Sequence, residues 1–366
     1  MIGVVGGYGD VGAVAAHHLA GLGLGQLRIG GRDIAAAARL AESLSGAEAA
    51  QVDAGDEAEL DRFAANCRIV LNCAGPGRTI GDRVARAARR AGADYVDVGG
   101  DEALAARLDP TALRREGRVA VLSAGVQPGL TGLLPRWAAR RGWSRIDGLT
   151  SYFGLRDVFT TVAAMDYLQA VTEGAGRSGL VWRNGCHPAT TVWQRNAVVP
   201  LFPTPSTSLA YLTPEAERLA RWLRLERGTW YSVLCGPRIT GALAQAPGLA
   251  PEAGARLLRE ASQFDLSGQP RFVLHLLQLD GLCQGRQATR TTVLRGSGNA
   301  ALTGVMAALT VAAVARDAVP PGSHFAAEIL DPDATIDRLV LSGAVDFLTE
   351  TDGPISALAD CEECTL

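Results

Sequence analysis

Ile2-Gly3-Val4-Val5-Gly6-Gly7-Tyr8-Gly9-Asp10-Val11-Gly12 is the stretch whose reading decides the fold. Ile2, Val4 and Val5 form a short, β-branched apolar run of the kind that makes a buried strand. Gly7, Gly9 and Gly12 then fit G-x-G-x-x-G, and a helix can run on through Ala16, Leu19 and Leu22. Gly21, Gly23 and Gly25 mark its end, after which Leu27 and Ile29 begin a second strand that stops at Gly30-Gly31. The three glycines act differently. Gly7 allows the tight turn, Gly9 lets a pyrophosphate approach the backbone, and Gly12 lets the helix lie close on the strand. In a chain with 43 glycines the spacing alone says little, but inside strand–turn–helix–strand it predicts a dinucleotide site, with Tyr8, Asp10 and Val11 in the same loop. The phosphates belong where unpaired amides and the positive helix end converge.

The end of the second strand speaks to the choice of nucleotide. Enzymes selective for NAD place Asp or Glu there, roughly 20 residues on, to bond the ribose 2′-OH. Here Gly30 and Gly31 hold that place and Arg32 follows, which suits the forked recognition of a 2′-phosphate and predicts NADP (NADPH) as cofactor. Asp33 either lies in this subsite or caps the next helix, Ile34 to Leu44.

Downstream, strands and helices alternate. Expected strands are Ala50 to Asp53, Arg68 to Asn72, Tyr95 to Val98 and Val119 to Leu122; expected helices are Asp56 to Phe63, Ile80 to Ala91 and Leu104 to Arg115. This rhythm predicts an α/β protein with a Rossmann-type, doubly wound parallel sheet, whose ligand lies beyond the carboxyl ends of the strands. Asn72 to Pro76, Asp97 to Gly100 and Ser123 to Pro128 fall there. From Leu130 to Ser297 strand-like runs predominate, at Leu149 to Phe153, Ala189 to Trp193, Arg271 to Leu279 and Ala288 to Leu294, the last two able to pair as a hairpin. Helices are expected at Thr161 to Glu173, Pro214 to Leu225 capped by Thr213, and Pro251 to Gln263. The expectation is a second, α+β substrate domain on a mixed or antiparallel sheet that floors a substrate cleft. Gly298 to Ala318 is apolar and nearly long enough to cross a bilayer, but Arg316 and Asp317 interrupt it, and small residues at helical spacing suit a helix buried between two domains. The expected division is 1–129 for the nucleotide domain, completed by the returning helix 298–320; 130–297 for the substrate domain; and 321–366 for a C-terminal segment, with a mobile acidic tail from Thr349.

These motifs resemble those of the saccharopine dehydrogenase-like NADP-binding oxidoreductases. The resemblance rests on Gly6 to Gly12, Gly30-Gly31-Arg32-Asp33, Asn72-Cys73-Ala74-Gly75-Pro76, Tyr95-Val96-Asp97 and Ala124-Gly125-Val126-Gln127-Pro128-Gly129, and covers the first 130 or so residues. Gly298-Asn299-Ala300-Ala301 and Glu328-Ile329-Leu330-Asp331-Pro332 match less sharply. It implies a nucleotide domain interrupted by a substrate domain, the adenine side bound by Arg32 and the Val52-Asp53 turn, and the nicotinamide side by Ala74, Gly75 and Pro76 with Gly125 nearby. Where many members carry an aromatic after Gly-Pro, this chain has Gly77, a change that widens the site.

Composition bounds the alternatives. With 48% hydrophobic and 20% charged residues the chain is an ordinary globular protein, and a net charge of −3 gives no footprint for nucleic acid or an anionic membrane. All 35 basic residues are Arg, so no lysine serves as Schiff base or proton donor. The seven cysteines are scattered and odd in number, which suits free thiols in a cytoplasm, and the fingerprint directly after Met1 leaves no room for a signal peptide. Cys361 and Cys364 form a lone C-x-x-C without a partner pair or nearby His, so no metal is expected. Candidate proton donors are Asp97, which alternatively orders the Gly99-Gly100 turn, loop His187, and Tyr231; His275 reads as a core residue and His324 stays open. Arg156, Arg183, Arg195 and Arg238 are candidate clamps for a substrate carboxylate. The expected activity is NADPH-dependent reduction of a C=N bond (imine, thiazoline or opine-type) in a small or carrier-bound metabolite, with natural product biosynthesis as a setting suggested by the family. The alternatives are a trans-acting enoyl (C=C) reductase and a non-catalytic NADP-binding protein. No nucleic acid or membrane partner is expected, and the sequence leaves room for a homodimer.

Overall fold

The computed structural model describes residues 1–174, 177–203 and 206–360, and the chain divides into two units. Cys361 and Cys364 lie outside the described residues.

The first unit comprises Met1–Leu133 and Ala300–Ala344. Its strands are β1 (Ile2–Val5), β2 (Leu27–Gly31), β3 (Glu48–Gln51), β4 (Ile69–Asn72), β5 (Asp94–Asp97) and β6 (Val119–Leu122), joined by Gly322–Phe325. Among the described residues they form one seven-stranded sheet in the order Gly322–Phe325, β6, β5, β4, β1, β2, β3, and every pair is parallel. Every residue of β1, β4 and β6 is buried, as expected of strands covered on both faces. The helix Asn299–Ala315 returns to this unit from Ala300 onward. Gly304 lets it approach the first helix, Asp10–Leu22, so closely that an added Cβ would lie 2.6 Å from Val14 and 2.9 Å from the Val11 carbonyl.

Three expected elements differ. The third strand ends at Gln51; Val52 still donates to the Gly31 carbonyl, but the chain then bends into the Asp53 turn. The stretch from Ile80 to Ala91 breaks at Gly81, whose φ is +61°, into Gly77–Ile80 and Arg83–Arg90. The stretch from Leu104 to Arg115 is two short helices because Asp109 caps a new one with Pro110 at its first position.

The second unit comprises Leu134–Asn299 and Val345–Leu366. Its mixed sheet is built on β7 (Trp143–Arg156), parallel to Arg227–Leu234 on one side and antiparallel to Phe272–Cys283 on the other. Phe272–Cys283 and Arg286–Gly296 pair as a hairpin, and Val345–Asp352 adds the next strand. The residues from Thr349 therefore continue the sheet, and the 3₁₀ turn after them buries Ile355 and Leu358 in a core with Phe272, Leu274, Leu276 and Val293. The strand expected at Ala189 to Trp193 is instead two short ones, Cys186–Pro188 and Trp193–Ala197, the first ending just before the Ala189 amide donates to the Gly179 carbonyl. Helices Thr161–Thr172, Pro237–Gln245 and Pro251–Leu266 pack on one another through Ala164, Leu168, Ala242, Ala255 and Leu258.

Candidate active site

The strand order of the first unit reverses between β1 and β4, so the crevice for a ligand opens at the carboxyl ends of those two strands. Gly6, which follows β1, has φ +72°, and an added Cβ would sit 2.7 Å from the Ala74 amide of the turn after β4. The left-handed residue of the turn is therefore Gly6. Gly7 is required for another reason: a Cβ there would meet Ile29 and the Val4 carbonyl, each at 2.9 Å. At Gly12 a Cβ would stand 2.2 Å from the Gly6 oxygen, so the helix can lie on the turn only with glycine at this place. A Cβ on Gly9 would meet nothing within 4 Å except the Gly6 oxygen, at 3.3 Å. Gly9 is also the N-cap of the first helix, whose opening turn has no side-chain cap. The result is a cradle of backbone amides at a positive helix end, with open space above Gly9. It fits a diphosphate.

At the adenosine end, Gly30 lies under the Phe63 ring and Gly31 under the Tyr8 ring, each too close for a Cβ. The Tyr8 hydroxyl accepts a 2.9 Å hydrogen bond from the Asp33 amide. Asp33 itself caps Ile34–Glu42, its Oδ1 accepting from Ala36 N at 3.0 Å. Arg32 between them is exposed, and its guanidinium has no ion-pair or hydrogen-bond partner among the described residues. Asp53 orders its own turn: Oδ1 accepts from Gly55 N at 2.8 Å, while its amide donates to Glu59.

Below the Ala74-Gly75-Pro76 turn runs a buried polar network. Asn72 accepts from the Ala74 amide at 3.1 Å and donates to Asp97 Oδ2 at 3.0 Å, which also accepts a short bond from the Tyr95 hydroxyl. Asp97 Oδ1 accepts from Gly99 N at 2.9 Å and Gly100 N at 2.7 Å. Four donors thus converge on one carboxylate that is 5% exposed, and these bonds perform the turn-ordering role that the sequence left beside catalysis. Burial, reinforced by Asp97, pushes the Tyr95 phenol well above its ordinary range, and the Cys73 thiol is raised for the same reasons. Both therefore stay protonated. Gly125 completes this end: a Cβ there would be 2.6 Å from the Val98 carbonyl.

The remaining candidates divide between the two units. His324, in the first unit, contacts the Pro320 carbonyl at 2.9 Å. The others belong to the second unit. His187 is exposed on the short strand Cys186–Pro188, opposite Val181. Tyr231 stacks on Tyr152 with ring centroids 4.7 Å apart, and burial raises its phenol. His275 is buried, hydrogen-bonded to Ser151 at 2.9 Å, and held down to about 4 by desolvation. Arg156 bonds Gln269 and lies over Phe272, and Arg238 lies over Phe264. Arg183 lines a groove of about 90 Å³ with Arg227, Thr150 and Thr229. Among the described residues no group of three His, Cys, Asp or Glu is placed to hold a metal ion.

The cradle has a counterpart among known families: residues 2–152 match the model of the saccharopine dehydrogenase NADP binding domain. This segment is a saccharopine dehydrogenase-type NADP-binding domain. Its cofactor is a nicotinamide dinucleotide, NADP as the domain is named. The fold likeness extends beyond it. Saccharopine dehydrogenase (L-Glu forming) from Saccharomyces cerevisiae superposes with a TM-score of 0.69 over 96% of this chain and 99% of its own, at 16% identity. The fold of the whole chain is thus saccharopine dehydrogenase-like. A probable dehydrogenase from Thermotoga maritima aligns over 93% of this chain and 94% of its own, with a TM-score of 0.46 and 10% identity. No curated protein matches the chain. No helix among the described residues is long and apolar enough to cross a membrane.

The Tyr95–Asp97–Asn72–Ala74 chain of bonds and the Tyr8–Asp33 bond were missed from sequence. The Tyr95-Val96-Asp97 motif signals the first only weakly, because Asn72 comes from the neighbouring strand and Ala74 from the turn after it.

Proposed function

We propose that this chain is an NADPH-dependent reductase of a C=N bond in a small or carrier-bound metabolite. The observation that carries the coenzyme half of this reading is the Arg32 guanidinium, unpartnered among the described residues, at the glycine-ended tip of β2, beside a cradle of close-packed glycines. Bound NADPH supplies the hydride. The amides of Gly9 to Gly12 hold the diphosphate, Arg32 takes the 2′-phosphate, and the network beneath Ala74 to Pro76 keeps the nicotinamide side rigid. The substrate half is supported by the fold shared with an enzyme whose name places it on saccharopine. Since the chain has no lysine, proton delivery falls to Tyr231 or His187, and Arg183 with Arg227 would receive a substrate carboxylate. The five described cysteines are free thiols, which supports placing the protein in the cytoplasm.

The test follows NADPH absorbance with cyclic imine and enoyl thioester panels. Oxidation with imines supports the reading. Turnover confined to enoyl thioesters replaces it with a C=C reductase, and tight NADPH binding without turnover on either panel replaces it with a coenzyme-binding sensor.

A further inference from the structure

The Tyr8 ring occupies a particular volume. A Cβ built on Gly31 would lie 2.2 Å from Tyr8 Cε1, 2.8 Å from Cζ and 3.0 Å from the hydroxyl. Position 31 is the last residue of β2, where an NAD-selective domain carries the carboxylate that bonds the ribose 2′-OH. The glycine loop has therefore placed an aromatic ring over the root of that carboxylate. The same ring is tethered at its far end, since the Tyr8 hydroxyl accepts the Asp33 amide proton at 2.9 Å. A phenol has one proton to give, and with its oxygen already accepting, that proton is left for a further acceptor. The one carboxylate of the turn is occupied: Asp33 bonds the Ala36 amide at the helix start.

We propose that Tyr8 sets coenzyme choice in two ways: its ring bars an acidic side chain from position 31, and its O–H donates to the 2′-phosphate beside Arg32. This rests on the NADP reading above and adds a claim that can fail separately. Selectivity is then a joint property of the loop and the strand tip. An acid at position 31 must evict the ring, which breaks the Asp33 tether and disorders the turn that carries Arg32.

The experiment is direct titration of the full-length protein by calorimetry with NADPH, NADH, adenosine 2′,5′-bisphosphate and 5′-AMP, which needs no turnover. Tyr8→Phe keeps the ring and removes both the donor and the acceptor of the Asp33 amide. It should weaken NADPH and the bisphosphate by about tenfold and leave NADH and 5′-AMP within twofold. Gly31→Asp alone should lose NADPH without gaining NADH, whereas Gly31→Asp combined with Tyr8→Ala should bind NADH at least about tenfold tighter than either single variant. Thermal melts of each variant show whether it is folded, and Tyr8→Phe, alone and with Arg32→Ala, is conservative enough to carry the test. If Tyr8→Phe weakens the bisphosphate only while Arg32 is present, with no further loss in an Arg32→Ala background, the hydroxyl only props the turn and the donor claim is overturned. If Gly31→Asp by itself binds NADH tightly, the ring is no barrier. Equal, weak binding of NADPH and NADH to the wild-type protein would instead sink the NADP reading itself.

Discussion

Arg32 and Asp97 show how differently two charged residues at strand ends can be used. Arg32 is exposed and unpartnered among the described residues, so its value lies in a ligand. Arg32→Asp should weaken NADPH roughly 10- to 100-fold, the worth of a charge-assisted bond, while NADH changes little; fluorescence titration of both coenzymes reads this. Asp97 is saturated from within. Asp97→Asn puts an amide donor where only donors converge, at a cost of about 2–4 kcal/mol. We expect a lower melting temperature and weaker NADPH binding, with hydride transfer per bound coenzyme retained; loss of that rate with the melt unchanged would make Asp97 catalytic. The glycine spacing made Gly9 and Gly12 legible, because close approach leaves a mark in sequence. The left-handed Gly6 was not, since what crowds it is Ala74, nearly seventy positions away.

At the level of elements, the hairpin of Phe272–Cys283 with Arg286–Gly296 was readable from its two strand-like runs and the intervening turn. Val345–Asp352 was not: its acidic, threonine-rich run reads as a tail until Arg290 and Arg295 of the hairpin supply partners for Glu350, Asp352 and Asp346. The break at Asp109-Pro110 is marked by its cap and its proline, but helix formers on both sides hide it in a reading by propensity. The buried His275 gives this sheet an acid sensitivity. Its folded pKa of about 4 lies below the ordinary 6.5, so as pH falls through that window the unfolded chain gains a proton that the folded one refuses. Stability from this group is complete above pH 6.5 and declines toward pH 4, by on the order of 3 kcal/mol. All six tryptophans lie in the second unit, so their fluorescence follows the unfolding of this sheet in urea. His275→Gln should be less stable than wild type at pH 7, and the gap should narrow between pH 6.5 and 4; a constant gap would show that His275 does not carry the effect.

On the scale of the molecule, alternation of strand and helix was enough to give the parallel sheet, but not the origin of its last strand. Gly322–Phe325 lies some two hundred residues beyond its neighbour β6, and nothing local in either announces the other. A fragment of residues 1–133 should accordingly aggregate or bind NADPH poorly, whereas 1–133 joined to 300–344 by a flexible linker should be soluble and bind it; sedimentation and titration decide. The same discontinuity bears on biosynthesis. As the polypeptide leaves the ribosome, Val119–Leu122 emerges with one flank unmated and waits while Leu134–Asn299 of the second unit is translated. A nascent chain of this design invites wrong strands to that flank, so slow synthesis or scarce chaperones should lower its yield before any loss of stability in the finished protein is felt.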